Sequence, residues 1–356
     1  MRASIRGNLR RALCCLGAWL ITAALACGGV SPEPRPATPS PPRAPDAPPA
    51  TSASEPSSTP VSSAASASGS AVAEASSAAP FAERPRFACA PPDRGFADHA
   101  PFVTRGKLKI SVPLTRPRSG AYDVVFHFHF SDAARRTIVF AAPEVVIAGL
   151  DLGEGSRVYG AALSDPRAFT GMLADVEATL RESTGDPEAQ VGRVALSSWS
   201  AGFAATTRIL KHHAARVDAV FFLDSLYAPY EKDADGELRV GAVYAPALSS
   251  VLAFARRAAL GEATLFVSTS DAPTTGYAST KEVAAWLLGR LGARLPDGGR
   301  LDAPARLDRG EVHVRVHGGN SAAAHCLHLG LAGEAVALWQ ARARGTDAPR
   351  SERVRR

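Results

Sequence analysis

Hydrophobic and polar positions are organised only in the later three quarters of this chain. Leu108–Leu114 alternates apolar and polar residues, as a half-buried strand does. Tyr122–Phe130 is rich in β-branched and aromatic residues and predicts a second strand. Val145–Leu150 is a short apolar run closed by a Gly-rich loop. Asp165–Arg181 changes to helical spacing through Phe169, Met172, Leu173, Val176 and Leu180. Beyond it, Val191–Leu196 predicts a strand, Ala201–Ala215 a helix and Ala219–Leu223 an uninterrupted apolar strand, the kind buried on both faces of a parallel sheet. Ala245–Leu260 predicts a helix and Thr264–Ser268 a strand. Ser279-Thr280-Lys281-Glu282 is a capping box that opens another helix. Val312–Val316 predicts the last strand and Gly330–Ala343 the closing helix. Strands alternating with helices imply an α/β fold, a mainly parallel central sheet with helices on both faces.

The first quarter carries no such pattern. From Val30 to about Pro85 the chain is Pro, Ser, Ala and Thr, with almost no large apolar residue. Such a segment buries too little apolar area to offset its ordering entropy, so residues 28–85 are expected to be a disordered linker. The folded domain is expected over 86–346, followed by a basic tail at 347–356. The net charge of +6 concentrates at the ends, in Arg2, Arg6, Arg10 and Arg11 and in Arg350, Arg353, Arg355 and Arg356. No basic stripe with interleaved aromatics runs through the domain, which argues against a nucleic-acid partner.

Residues 1–27 predict an export signal: an Arg-bearing start, then an apolar run from Ala12 to Ala26 that is short for a membrane span. It ends in Ala24-Leu25-Ala26-Cys27-Gly28, which resembles a bacterial lipoprotein signal, with Ala24 where that family usually carries Leu. The resemblance implies lipidation at Cys27, a membrane anchor at the N-terminus and a place in the cell envelope. An ordinary cleaved signal and a short uncleaved anchor fit the same run. Besides Cys14, Cys15 and Cys27, the chain has Cys89 and Cys326. In an oxidising compartment these are candidates for a disulfide, against the alternative of two separate buried thiols.

The segment that carries chemistry is Val194-Ala195-Leu196-Ser197-Ser198-Trp199-Ser200-Ala201-Gly202-Phe203. A strand runs into a small-x-Ser-x-small turn and a helix follows. A serine on so tight a turn needs small residues two places before and after it. The turn exposes the hydroxyl at the sheet's carboxyl edge and aims the first helical N–H groups at the same point. With Ser198 in place of the first Gly of G-x-S-x-G, the segment resembles the nucleophile elbow of the α/β-hydrolases. The resemblance extends, through strand and helix order, from about Lys107 to Trp339.

That resemblance implies a serine esterase or related acyl hydrolase acting on a small-molecule or lipid/acyl substrate, with no cofactor. It implies a triad in the order Ser, acid, His. Ser200 is the nucleophile. The base follows the last strand, where His325 in the loop before the final helix is favoured over His317, and His328 packs or orients. For the acid, fold order favours Asp271, after the strand Thr264–Ser268. Rigid placement at the end of Ala219–Leu223 favours Asp224. The oxyanion donors fall on Ala201 and on the segment after His129, either Phe130 or Ser131. The stretch from Leu226 to Val243, with Tyr227, Tyr230 and Tyr244 around it, is a candidate lid.

Two other classes are open. His127 and His129 form an H-x-H that strand alternation would put on one face, a spacing metals use, and with His325 and His328 they sketch a metallohydrolase. A non-catalytic envelope lipoprotein with a hydrolase-like fold is the other.

Overall fold

The computed structural model describes residues 89–117 and 119–343. The expected signal peptide, linker and basic tail lie outside them, and so does Cys27.

Uninterrupted apolar runs have become strands buried on both faces. The strands are Val103–Arg105 (β1), Leu108–Ser111 (β2), Ala121–Phe128 (β3), Val146–Leu150 (β4), Gln190–Trp199 (β5), Ala219–Leu223 (β6), Ala228–Lys232 (β7), Leu238–Val243 (β8), Thr264–Thr269 (β9), Tyr277–Ala278 (β10), Ala305–Arg309 (β11) and Val312–Val316 (β12). The helices are Ser131–Ala141 (α1), Ser156–Ala162 (α2), Pro166–Thr184 (α3), Phe203–His213 (α4), Ser249–Ala259 (α5), Thr280–Arg290 (α6), Ala322–Leu327 (α7) and Ala332–Ala343 (α8). Every residue of β4, β6, β9 and β12 is buried. Only a sheet covered on both sides accommodates this.

The main sheet has the order β1-β2-β4-β3-β5-β6-β9-β12-β11. Its central strands, β4 to β12 in that order, are parallel; β1, β2 and β11 add antiparallel edges. One face packs on Phe169 and Val176 of α3, Ile209 of α4, Phe254 of α5 and Leu287 of α6. The other packs on Ile138 of α1 and Val336 and Trp339 of α8. Each such side chain contributes roughly 1.5–3 kcal/mol when fully buried. This is the α/β architecture the sequence implies, a large mixed sheet of mostly parallel strands with helices on both faces.

Register sets where function can sit. Phe128 pairs with Ser198, Trp199 with Leu223, and Leu223 with Ser268. The residues that leave these strands, His129, Ser200, Asp224 and Ser270, therefore emerge together at one carboxyl edge.

Several expected boundaries shift for local reasons. The strand expected to Phe130 stops at Phe128, because His129 and Phe130 take φ of 77° and 60°. The helix expected from Ala201 begins with a 3₁₀ turn over Ser200–Gly202. The capping box at Ser279 is complete: its hydroxyl accepts from Glu282 N–H, and Glu282 accepts from Ser279 N–H. The candidate lid is a hairpin of β7 and β8, with β10 added along β7. Cys89 and Cys326 are joined in a disulfide, with Cα atoms 4.6 Å apart.

Candidate active site

Ser200 leaves β5 with φ of 48°. A non-glycine residue in this left-handed region costs of order 1–3 kcal/mol and persists only where its surroundings fix it. Gly202 supplies part of that constraint. A Cβ there would stand 2.1 Å from the Phe128 carbonyl oxygen, so only glycine lets the turn approach β3 this closely. Ser198, at the other small position, is fully buried and its hydroxyl is satisfied. Ser225 Oγ donates to the Ser198 carbonyl at 2.8 Å, so its lone pairs are left to accept from Ser198 Oγ at 2.9 Å.

His325 and Asp224 meet beyond the same edge. His325, on α7, has Nδ1 2.7 Å from Asp224 Oδ2. The carboxylate is the acceptor, so Nδ1 carries a proton, and in the neutral ring the lone pair falls on Nε2. Asp224 is itself held: it accepts from Ser270 N–H at 3.0 Å and from Ser270 Oγ at 2.5 Å. Its own φ of 46° turns it off the end of β6. Burial alone would raise the Asp224 pKa. The His325 hydrogen bond, the neighbouring His328 and His325 rings and the Ser270 hydroxyl outweigh it, and the carboxyl stays below the usual range.

Trp199, the residue between the two elbow serines, locks this arrangement from the side. Its indole stacks on His325 with ring centroids 4.6 Å apart, and its Nε1 donates to the His325 carbonyl at 3.0 Å. The indole also stacks with His129, at 5.2 Å and an interplanar angle of 15°. Ser200 Oγ makes no hydrogen bond to His325. It lies beside the Tyr227 hydroxyl, which donates to the Asp224 carbonyl at 2.9 Å. Burial, and then the Asp224 charge, push the Tyr227 phenol above its ordinary range, so it remains a proton donor.

Ser200, Ala201, Phe203, Tyr227 and Tyr277 line a cleft of about 510 Å³ that carries no charged side chain. Phe203 and Tyr227, and Tyr227 and Tyr277, meet edge to face, with centroids 5.3 and 5.4 Å apart. Tyr227, Ala228 and Pro229 are the members of the candidate lid that line the cleft.

Three expectations are corrected. Asp271 does not meet a histidine: it is an exposed turn residue that pairs with Lys281 at 2.5 Å and accepts from Gly319 N–H. Ser131 is no oxyanion donor, because its N–H is spent on Asp151 Oδ1 at 2.9 Å and its hydroxyl on Oδ2 at 2.6 Å. The Phe130 and Ala201 amides are the ones left. Phe130 precedes α1 in the left-handed region, and Ala201 lies in a first helical turn, where N–H groups lack an intrahelical acceptor. His127 and His129 do not form a metal pair. His127 Nε2 lies 3.0 Å from the His129 carbonyl, which only accepts, so Nε2 is protonated and Nδ1 receives the Ser197 hydroxyl at 2.8 Å. Complete burial lowers the His127 pKa to about 4, which keeps the ring neutral with both nitrogens occupied. Among the described residues no group of three or more His, Cys, Asp or Glu side chains is placed to hold a metal.

His317 lies apart from the site, with Nδ1 donating to the Leu301 carbonyl at 3.1 Å. His328 is fully buried; its Nδ1 is 2.7 Å from Ser268 Oγ, and burial lowers its pKa to about 4. Residue pattern alone misses Trp199 and Ser270. For Trp199 the signal was its place inside the elbow; for Ser270 there was none.

No family model matches the chain, and no curated protein sequence does. Solved structures that resemble it include a ferulic acid esterase, at 13% identity over 65% of this chain and 92% of that one, with a TM-score of 0.36. An S-formylglutathione hydrolase from Agrobacterium tumefaciens matches at 13% identity, over 66% of this chain and 89% of that one, with a TM-score of 0.37. A BES protein from Bacillus cereus matches at 11% identity, over 68% and 94%, with a TM-score of 0.39.

Proposed function

We propose that the chain is a serine hydrolase that cleaves an ester or related acyl bond with Ser200, His325 and Asp224. The observation that carries this is the short Nδ1–carboxylate bond between His325 and Asp224, beside a serine held at positive φ on a strand-to-helix turn. Serine is a weak nucleophile until a base takes its proton. The Ser200 hydroxyl turns from Tyr227 to His325 Nε2, loses its proton there and bonds to the acyl carbon. Asp224 keeps the proton on Nδ1 and stabilises the imidazolium as it forms. The carbonyl oxygen becomes an oxyanion facing the Ala201 and Phe130 amides. Each such donor is worth roughly 10²–10³ in rate. The alcohol leaves with the proton from His325. Water, deprotonated by the same nitrogen, then releases the acid and restores Ser200. A fluorophosphonate probe should label the full-length chain at Ser200, and Ser200→Ala should abolish both labelling and ester turnover. An unlabelled Ser200 with no turnover of any ester would leave the non-catalytic envelope protein.

The same proposal places the domain outside the cytoplasm. Ala24-Leu25-Ala26-Cys27 supports lipidation at Cys27, residues 28–85 would be the spacer, and the Cys89–Cys326 disulfide suits an oxidising compartment. Metabolic labelling with a fatty acid should mark the wild type and not Cys27→Ala.

A further inference from the structure

A second groove, of about 630 Å³, adjoins the cleft at Ser200. The two share Ser156 and Phe203 as lining, so Phe203 at the start of α4 is the partition between them. Their chemistry is opposite. The cleft has no charged side chain. The groove is lined by Arg157, Arg208 and Lys211 and by no carboxylate.

These three cations differ from the ion-paired arginines of the domain. Arg135, Arg136, Arg193 and Arg315 each hold one or more carboxylates. Among the described residues Arg157, Arg208 and Lys211 form no ion pair. Their gathering follows from the helix packing. Arg208 and Lys211 are three residues apart on α4, and so lie on one side of it. A Cβ at Gly160 of α2 would be 3.8 Å from the Ala204 Cβ of α4, so the two helices run close there. Arg157 is one turn before Gly160, and Arg208 one turn after Ala204. The start of α5 closes the groove with Ser249 and Ser250, and its first turn has no acidic residue. Unpaired like charges repel, so an assembly of three with hydroxyls between them is suited to an anion.

We propose that this groove is a subsite for a carboxylate or phosphate group carried by the substrate, whose neutral ester portion occupies the aromatic cleft. The subsite rests on the hydrolase reading of Ser200. It gives that reading a substrate class: small esters with an oxyanionic group reaching past Phe203 toward Arg208, which lies eight residues beyond Ser200 in the sequence, or roughly 12 Å along the helix.

The test is a matched ester series with one acyl group and one linker, ending in a neutral amide, a carboxylate or a phosphate. Values of kcat/KM are measured with the full-length wild type and with the Arg157→Gln, Arg208→Gln, Lys211→Gln triple variant. An exposed charge pair is worth about two- to fivefold, so three together predict a preference of about tenfold or more for the anionic esters at low salt. The preference should vanish in the triple variant, and should shrink for the wild type near 0.5 M salt, where screening is short-ranged (roughly 4 Å). The neutral ester should be turned over within about twofold of wild type by the variant. A larger gain for phosphate than for carboxylate identifies the former as the natural group, and the reverse order the latter. Equal rates on neutral and anionic esters, or an equal loss on both in the variant, would overturn the subsite and leave the hydrolase standing. If Ser200 fails to label and no ester is turned over, the hydrolase reading fails and the subsite falls with it.

Discussion

Asp224→Asn is the substitution that separates the two carboxylates open to the sequence. The aspartate accepts three hydrogen bonds, from His325 Nδ1, Ser270 N–H and Ser270 Oγ. Asparagine keeps one acceptor oxygen, and the short pair of contacts to Ser270 and His325 falls on Oδ2. An amide oxygen on Oδ1 would still serve the Ser270 N–H, which leaves the NH₂ facing His325. His325 must then present an unprotonated Nδ1, and its proton moves to Nε2, the nitrogen that has to receive the Ser200 proton. The base is lost with little change of shape. A wrong tautomer of this kind costs about 10³–10⁴ in kcat, or roughly 4–5.5 kcal/mol of transition-state stabilisation. Asp271→Asn is the control. It removes an exposed pair with Lys281, worth at most about 1 kcal/mol, and should leave kcat within about threefold. Turnover of a chromogenic ester at saturation is the assay, with fluorophosphonate labelling to count intact sites. Retention of more than a tenth of the wild-type kcat by Asp224→Asn, or an equal collapse in Asp271→Asn, would refute the assignment.

Further outcomes can be stated briefly. Gly202→Ala forces a methyl to 2.1 Å from the Phe128 oxygen; folded yield and Ser200 labelling should both fall at least tenfold, since backbone overpacking costs about 1–3 kcal/mol or more. Ser198→Gly loses only a hydroxyl pair with Ser225, and should keep its activity with about 1 kcal/mol less stability by urea denaturation. Acid sensitivity should begin above the carboxylate range. His127 and His328 fall from 6.5 to about 4 on folding because burial disfavours the cation. Between those values the unfolded chain binds protons that the folded chain does not, so stability should fall as pH drops from about 6.5 to 4, by a few kcal/mol. Urea midpoints across that window measure it, and His328→Gln should remove about one proton's worth of slope.

The parts of this domain that were legible in its sequence are those set by short-range rules. Ala219–Leu223 is apolar throughout and long enough only for a buried strand, Val312–Val316 sets a valine at every second position, and the Ser279 capping box is a local hydrogen-bond exchange. The elbow was legible for the same reason: its small residues are demanded within five positions. The choice of Asp224 over Asp271 was not, because it depends on one backbone angle at the end of β6 and on Ser270, which neighbours it only across the sheet. The Ser131 amide was lost to Asp151, twenty residues away and just past the end of the adjoining strand. The helix α1 was hidden by the polar residues Asp132, Arg135 and Arg136 in its middle; Arg135 is buried there against Asp93, Asp132 and the Gly95 carbonyl. Paired arginines of this kind look like surface until their partners are known.

The Cys89–Cys326 bond makes the domain a covalent ring of almost its whole length, the joined positions standing 237 apart in sequence. A protease that cuts the exposed turn at 233–237 opens the ring without dividing the molecule. The piece bearing Ser200 and Asp224 stays tied to the piece bearing His325, and the β-sheet keeps them in register. Such a nick should leave a single band on a non-reducing denaturing gel and should appear as two fragments once the disulfide is reduced. A chain cut in this way keeps its site assembled for as long as the disulfide lasts.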